Sequence, residues 1–260
     1  MAPNILVLTG ETSAEILTAP IIERIKEKSP DTYFWGIGGD RFKKLDFFLI
    51  EHIKNLSVMG FFDIFSKTFT MAKLYRRIFK ELDKRKPEII IFVDFPGFNM
   101  RLAERIYNKR NKKTKPILVY YITPQIWAWD WKRIEKLKKY FDHLIPVLPF
   151  EYHIFKREGI NNVHYFGHPL LEIVKPLLCE DEFRKRWGIQ KDFIVLMPGS
   201  RKKEIKRLLP EMLLSFRDIR RRVDIEGVLV SAPYMRDMVD RMVKGVEGLV
   251  VVDGPCYEPL

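Results

Sequence analysis

Cysteine is nearly absent. Only Cys179 and Cys256 occur in 260 residues, so no disulfide framework can hold the fold, and a reducing compartment is the simpler expectation. No stretch approaches the ~18 consecutive apolar residues of a membrane-spanning helix. The opening MAPNILVLTGE has no basic n-region and reads as a first strand rather than a secretory signal. Complete glycine fingerprints are also missing. Neither Gly10 nor the run Gly36-Ile37-Gly38-Gly39 completes a GxGxxG turn, and no Gly-Lys-Ser/Thr follows Gly199 to make a Walker A loop. The histidines lack metal-ligand spacing and neither cysteine has a CxxC partner, so no metal is expected. Acidic residues are the scarcer charge, 34 Asp+Glu against 46 Lys+Arg, for a net +12. That balance suits polyanionic partners such as nucleic acid, anionic lipid or phosphorylated substrates, without choosing among them.

What is present is a repeating strand-helix pattern with 47% hydrophobic residues, enough for a sizeable core. Short apolar runs at 4–9, 33–37, 88–93, 117–122, 142–148 and 163–166 read as strands. Helical patterns lie between them, at 12–28, 61–85, 99–110, 128–139 and 150–157. Continuous apolar strands alternating with helices imply a parallel sheet covered on both faces, the doubly wound α/β layout, with ligands outside the carboxyl ends of the strands. A second series starts near residue 167, with strands at 193–197, 227–232 and 249–253 and a long basic helix over 204–222. Two domains are therefore expected, 1–167 and 168–260, the second incomplete because it offers only three strands.

Five segments could carry chemistry. In Leu8-Thr9-Gly10-Glu11-Thr12-Ser13, a strand end runs into a helix start. Gly10 permits a sharp turn and Thr12 or Ser13 can cap the helix, which suits an anion or sugar hydroxyls. An ordinary capped turn explains it equally well. In Val93-Asp94-Phe95-Pro96-Gly97-Phe98-Asn99, Asp94 ends a strongly apolar strand. Burial there would raise its pKa and poise it to take a proton from an alcohol; the plainer role is to satisfy turn amides before Pro96. Around Gln125, Trp127, Trp129 and Trp131 offer flat surfaces for sugar rings, or else pack as an aromatic corner. Gly199-Ser200-Arg201 follows a core strand and opens a helix. It can cradle a diphosphate, unless it is simply a basic capped helix. Phe61–Lys80 holds six aromatics, five basic residues and one acid, which suits either a core helix or the headgroup boundary of an anionic membrane.

These segments together suggest transfer of a group from a diphosphate donor to an alcohol. The sequence also resembles the lipid-A-disaccharide synthase family, inverting lipid glycosyltransferases. The matching segments are GETS (10–13), LSVMGFFDIF (56–65), VDFPGFNMRLA (93–103), YYITPQIWAW (120–129), LPFE (148–151), FGHPLLE (166–172) and PGSRKKEIKRLLP (198–210). The resemblance implies two Rossmann-like domains of the glycosyltransferase-B type, an N-terminal acceptor and membrane-facing domain and a C-terminal UDP-sugar-binding domain. It implies transfer of a 2,3-diacylglucosamine unit from UDP to the 6-hydroxyl of 2,3-diacylglucosamine 1-phosphate, with inversion and without a metal or other cofactor. It assigns Asp94 as general base, Gly199, Ser200 and Arg201 to the departing diphosphate, and Gly10, Glu11, Asn99 and Gln125 to the acceptor side. Met59, Phe61, Phe62, Phe65 and Phe69 would meet acyl chains or the bilayer, an anionic inner-membrane surface reached from the cytoplasm. A homodimer of the complete protein stays open.

The sequence departs from the family in two places. Ala14-Glu15 stands where the family usually has Gly-Asp, and the Ser-Gly-Thr-rich segment that completes the nucleotide pocket is missing. An inactive truncated relative that binds lipid or membrane is therefore one alternative. UDP-sugar epimerisation or hydrolysis is a second. A nucleic-acid-binding module is a third, supported by charge alone and by no recognisable motif.

Overall fold

The computed structural model describes residues 2–58, 67–109, 115–175, 178–200, 202–232 and 235–253, without the side chains of 57–58, 67–71 and 129. The chain forms two compact units, Met1–Ile173 and Val174–Leu260.

The first unit runs β1 (Asn4–Leu8), α1 (Thr12–Lys28), β2 (Tyr33–Gly38), α2 (Asp40–Lys43), β3 (Phe48–His52), α3 (Ile53–Val58), α4 (Lys67–Arg85), β4 (Ile89–Val93) and α5 (Pro96–Lys109). It continues through β5 (Ile117–Tyr121), α6 (Ile126–Trp129), α7 (Arg133–Tyr140), β6 (His143–Ile145), α8 (Pro149–Arg157) and α9 (Leu170–Ile173). The sheet order is β3-β2-β1-β4-β5-β6, with every pairing parallel. The order reverses between β1 and β4, which places the switch-point crevice at the carboxyl ends of those strands.

Alternation along the strands explains the two covered faces. Leu6, Leu8, Ile90, Phe92, Leu118 and Tyr120 enter one core, while Ile5, Val7, Val93 and Tyr121 enter the other. With both faces apolar the strands read as continuous hydrophobic runs, as parallel sheets require. β3 escaped the sequence reading because it is an edge strand in which only Ile50 is buried. The expected strand at 163–166 is reduced to a single bridge, Leu144 to Val163. It lies outside the edge strand β6, and His164, Tyr165 and Phe166 are exposed.

The second unit contains α10 (Glu180–Trp187), β7 (Phe193–Leu196), α11 (Lys202–Arg220), β8 (Glu226–Ser231), α12 (Arg236–Val243) and β9 (Leu249–Asp253). Its parallel sheet has the order β7-β8-β9. Ile205, Leu209, Leu213 and Phe216, spaced by three or four along α11, pack with Leu229 and Val239 on one face. Phe183 and Ile189 pack with Val228, Val230 and Val252 on the other.

Glu15, one of the departures in the first motif, has a structural task. It is 2% exposed, and its Oε1 accepts hydrogen bonds from the backbone N–H of Gly39 (2.8 Å) and Phe42 (2.9 Å). A carboxylate from α1 thus caps the amino end of α2. Glu15→Ala would strand both donors, so urea unfolding of this unit is expected to show a loss of roughly 2–4 kcal/mol. An unchanged midpoint would contradict the capping role.

Candidate active site

Strained backbone gathers at the carboxyl ends of β4 and β5. Asp94 (φ 44°), Phe95 (φ 50°) and Ile122 (φ 56°) all adopt the left-handed conformation. This costs roughly 1–2 kcal/mol for an ordinary L-residue and is an outlier for a β-branched one. The strain is held by specific bonds. The Asp94 carbonyl accepts from Asn99 Nδ2 (2.7 Å) and from the Tyr120 hydroxyl (2.9 Å), and Asn99 Nδ2 also reaches the Val93 carbonyl (3.2 Å). The Asp94 N–H donates to the Tyr121 carbonyl (3.2 Å), and the Ile122 N–H to the Ile145 carbonyl (3.0 Å). Asn99 is therefore fully buried as the clamp on the Asp94 turn and does not line the cavity.

The cavity, of about 370 Å³, opens at these strand ends. Asp94 and Pro96 follow β4, Thr123 and Gln125 follow β5, and Leu148 and Glu151 follow β6. His168 completes the wall from the segment before α9. Burial pushes the Asp94 carboxyl above the ordinary value; an amide hydrogen bond from Phe95 pulls it back, and the negative charge of Glu11 raises it further. The turn-amide role and the poised carboxyl are thus combined in one side chain.

The other expected acceptor-side residues are placed as follows. Glu11 is the N-cap residue of α1, without a side-chain cap bond, and neither Thr12 nor Ser13 caps, since the helix already begins at Thr12. Gly10 serves less by its turn than by its missing side chain. A Cβ there would stand 2.6 and 2.7 Å from Cδ1 and Cδ2 of Phe95, so the β1–α1 turn rests on the ring next to Asp94. Gln125 is exposed at the cavity wall, in the N-cap position of α6.

Glu151 was not singled out for chemistry. It is 1% exposed. Its Oε1 accepts from Trp127 Nε1 (3.1 Å) and its Oε2 from the Leu148 N–H (3.4 Å). Burial raises its carboxyl above the ordinary value, against the lowering pull of Trp127. Trp127 in turn meets Phe150 edge to face at 5.0 Å, both rings half open to solvent. Trp127 thus belongs to an aromatic corner at the cavity margin, Trp131 is exposed, and the side chain of Trp129 lies outside the described residues. The signals for Glu151 in the sequence were its place three residues into a helix opened by Pro149 and its position at the end of the family-like LPFE segment (148–151).

In the second unit, Gly199 has φ 98° and both it and Ser200 are exposed after β7. The Glu204 side chain folds back against Gly199, where an added Cβ would lie 2.7 Å from Oε2. Arg201 lies outside the described residues, as do Met59, Phe61, Phe62 and Phe65 and the side chain of Phe69. Among the described residues, no cluster of three or more His, Cys, Asp or Glu side chains could hold a metal ion, and no helix is long and apolar enough to cross a membrane.

Comparison with known proteins places this geometry. Solved structures similar to the chain include the S. aureus MnaA–UDP co-structure, with a TM-score of 0.65, 10% identity and coverage of 98% of this chain and 70% of that one. The UDP-GlcNAc 2-epimerase from Neisseria meningitidis bound to UDP-GlcNAc gives a TM-score of 0.62, 11% identity and coverage of 98% and 74%. The calicheamicin glycosyltransferase CalG4 gives 0.53, 12%, 97% and 70%. At such identities the likeness establishes the fold alone, Rossmann-like and of the glycosyltransferase-B type. Sequence relatives are nearer. The chain is 36% identical to a lipid-A-disaccharide synthase from Persephonella marina over 238 residues, 90% of this chain and 60% of the relative. It is 32% identical to one from Syntrophus aciditrophicus over 260 residues, 98% of this chain and 66% of the relative. The chain therefore spans about 60% of the length of the first of these relatives. A family model described as Lipid-A-disaccharide synthetase matches residues 5–241, and the chain belongs to that family.

Proposed function

We propose that this chain carries the acceptor side and part of the donor side of an inverting glycosyltransferase that forms the lipid A disaccharide. The donor is UDP-2,3-diacylglucosamine and the acceptor is 2,3-diacylglucosamine 1-phosphate. Asp94 removes the proton from the acceptor 6-hydroxyl as that oxygen attacks the anomeric carbon. The new β-1,6 C–O bond forms as the bond to the diphosphate breaks, and UDP departs with the electron pair. Gly199, Ser200 and Arg201 stabilise the charge on the diphosphate, an electrostatic contribution aimed at the transition state. The Met1–Ile173 unit, which includes His168 on the wall of the Asp94 cavity, serves the acceptor, and the Val174–Leu260 unit serves the UDP-sugar.

The observation that carries this reading is Asp94: a half-buried carboxyl with a raised pKa, fixed by two bonds to its own carbonyl, on a cavity wall at the carboxyl end of a parallel strand. A base of that kind suits proton removal from an alcohol. The net charge of +12 and the aromatic-basic segment 61–80 support peripheral attachment to an anionic membrane surface on the cytoplasmic side.

The test is a transfer assay with both acylated sugars, run on this chain and on a version extended past Leu260 to the length of its relatives. UDP release that requires the acceptor, with formation of a disaccharide, is the expected outcome. UDP release without acceptor would mean hydrolysis, interconversion of the donor would mean epimerisation, and either result would contradict the proposal.

A further inference from the structure

Three features of the cavity beside Asp94 bear on what part of a ligand it accepts. First, its only ionisable lining groups among the described residues are two carboxyls, Asp94 and Glu151, and one imidazole, His168. Although the chain carries 46 Lys+Arg, no Lys or Arg among the described residues lines it. A phosphate placed there would face negative charge without a counter-ion, in a partly desolvated site. Second, Thr123 is 3% exposed and lines the cavity, yet its hydroxyl has no hydrogen-bond partner among the described residues. A buried hydroxyl left unpaired is costly unless a ligand satisfies it. Third, His168 Nδ1 accepts a hydrogen bond from the Leu170 N–H (3.2 Å). The neutral ring must then carry its proton on Nε2, which makes that nitrogen a donor.

Together these groups supply a carboxylate, an unpaired hydroxyl, an amide from Gln125 and an imidazole N–H. That set matches the donors and acceptors of a polyol and not those of an anion. The cavity volume of about 370 Å³ lies at the small end of ligand sites, suited to one sugar ring without its acyl chains.

We infer that this cavity takes the neutral, hydroxyl-bearing edge of the acceptor sugar, with Thr123 Oγ1 and His168 Nε2 as binding groups beside Asp94, and that the acceptor's phosphate lies outside it. The inference rests on the acceptor reading of the site given above. It adds two binding residues and a polarity for the bound sugar: the 6-hydroxyl edge points inward and the phosphate end points away.

The test is a binding titration that needs no turnover, so its failure is separable from failure of the transfer assay. The probes are 2,3-diacetylglucosamine, a soluble neutral sugar, and inorganic phosphate, each followed by NMR on the full chain. The sugar is expected to shift resonances of Thr123 and His168. Thr123→Val is expected to weaken sugar binding about tenfold, the worth of one well-made hydrogen bond. Thr123→Ser should restore most of that loss. Val nearly matches Thr in shape and removes an unpaired buried hydroxyl, so folding should not suffer, and a melting curve checks this. His168→Ala should weaken binding and His168→Gln, which retains a side-chain N–H, should recover part of it. Unchanged sugar affinity in Thr123→Val overturns the inference. So does failure of the sugar to bind the parent chain, or displacement of bound sugar from this cavity by phosphate.

Discussion

Replacing Asp94 by Asn is expected to reduce transfer by about 10²–10⁴-fold, the range set by losing a general base, while raising the melting temperature of the Met1–Ile173 unit. The second half of that expectation follows from the sign of the pKa shift. The folded carboxyl holds its proton more tightly than the unfolded one, because burial opposes its charge and Glu11 adds to the opposition. Below the ordinary carboxylate value both states are protonated and nothing is lost. As pH rises the unfolded chain gives up its proton first, so stability falls as pH passes through the raised folded value. Asn never ionises and avoids that loss. It also tolerates the left-handed backbone that position 94 requires, φ 44°. Ala avoids the ionisation as well but pays about 1 kcal/mol for that backbone, which makes Asn the cleaner probe. Thermal melts at pH 7 and at pH 4 check the argument: the advantage of Asn should shrink at the lower pH. A variant that loses both activity and stability at pH 7 would point to a structural role for Asp94.

The second large effect is expected at Gly10. Ala there would bring its Cβ to 2.6 Å from Phe95 Cδ1, inside any real carbon–carbon contact. The ring has little room to yield, since it already stacks on Phe98 at 5.5 Å and its own backbone is held at φ 50°. Overpacking of this kind costs about 1–3 kcal/mol. Displacement of Phe95 would move the adjacent Asp94, and an error near 1 Å at a reacting group can cost about 10² in rate. Gly10→Ala should therefore lower both urea stability and transfer rate. Normal values for both would show that the β1–α1 turn does not brace the Asp94 turn.

Much of this was legible in the sequence because parallel strands buried on both faces advertise themselves as apolar runs. Asn4–Leu8, Ile89–Val93 and Ile117–Tyr121 are of that kind, and Asp94 stood out as a charge directly after one of them. β3 was not legible, since an edge strand with one buried residue carries no such run. The contacts that Gly10, Asn99 and Glu15 make were not legible either. Each acts through a partner distant in sequence, Phe95 for Gly10 and the amides of Gly39 and Phe42 for Glu15, or through the turn carbonyls in the case of Asn99. Residue type and local spacing do not encode such contacts. Thr123, Glu151 and His168 escaped singling out as cavity groups because loops after three different strand positions must converge before they share a wall.

The most direct test of the claim that Asp94 works as a buried base is the pH dependence of kcat/KM for transfer, measured in the parent chain and in Glu11→Gln. The parent rate should fall with acid around an apparent pKa above the ordinary aspartate value of 3.8, and removing the charge at position 11 should move that pKa downward. An acid limb at or below 3.8, or one that Glu11→Gln leaves in place, would contradict the role assigned to Asp94.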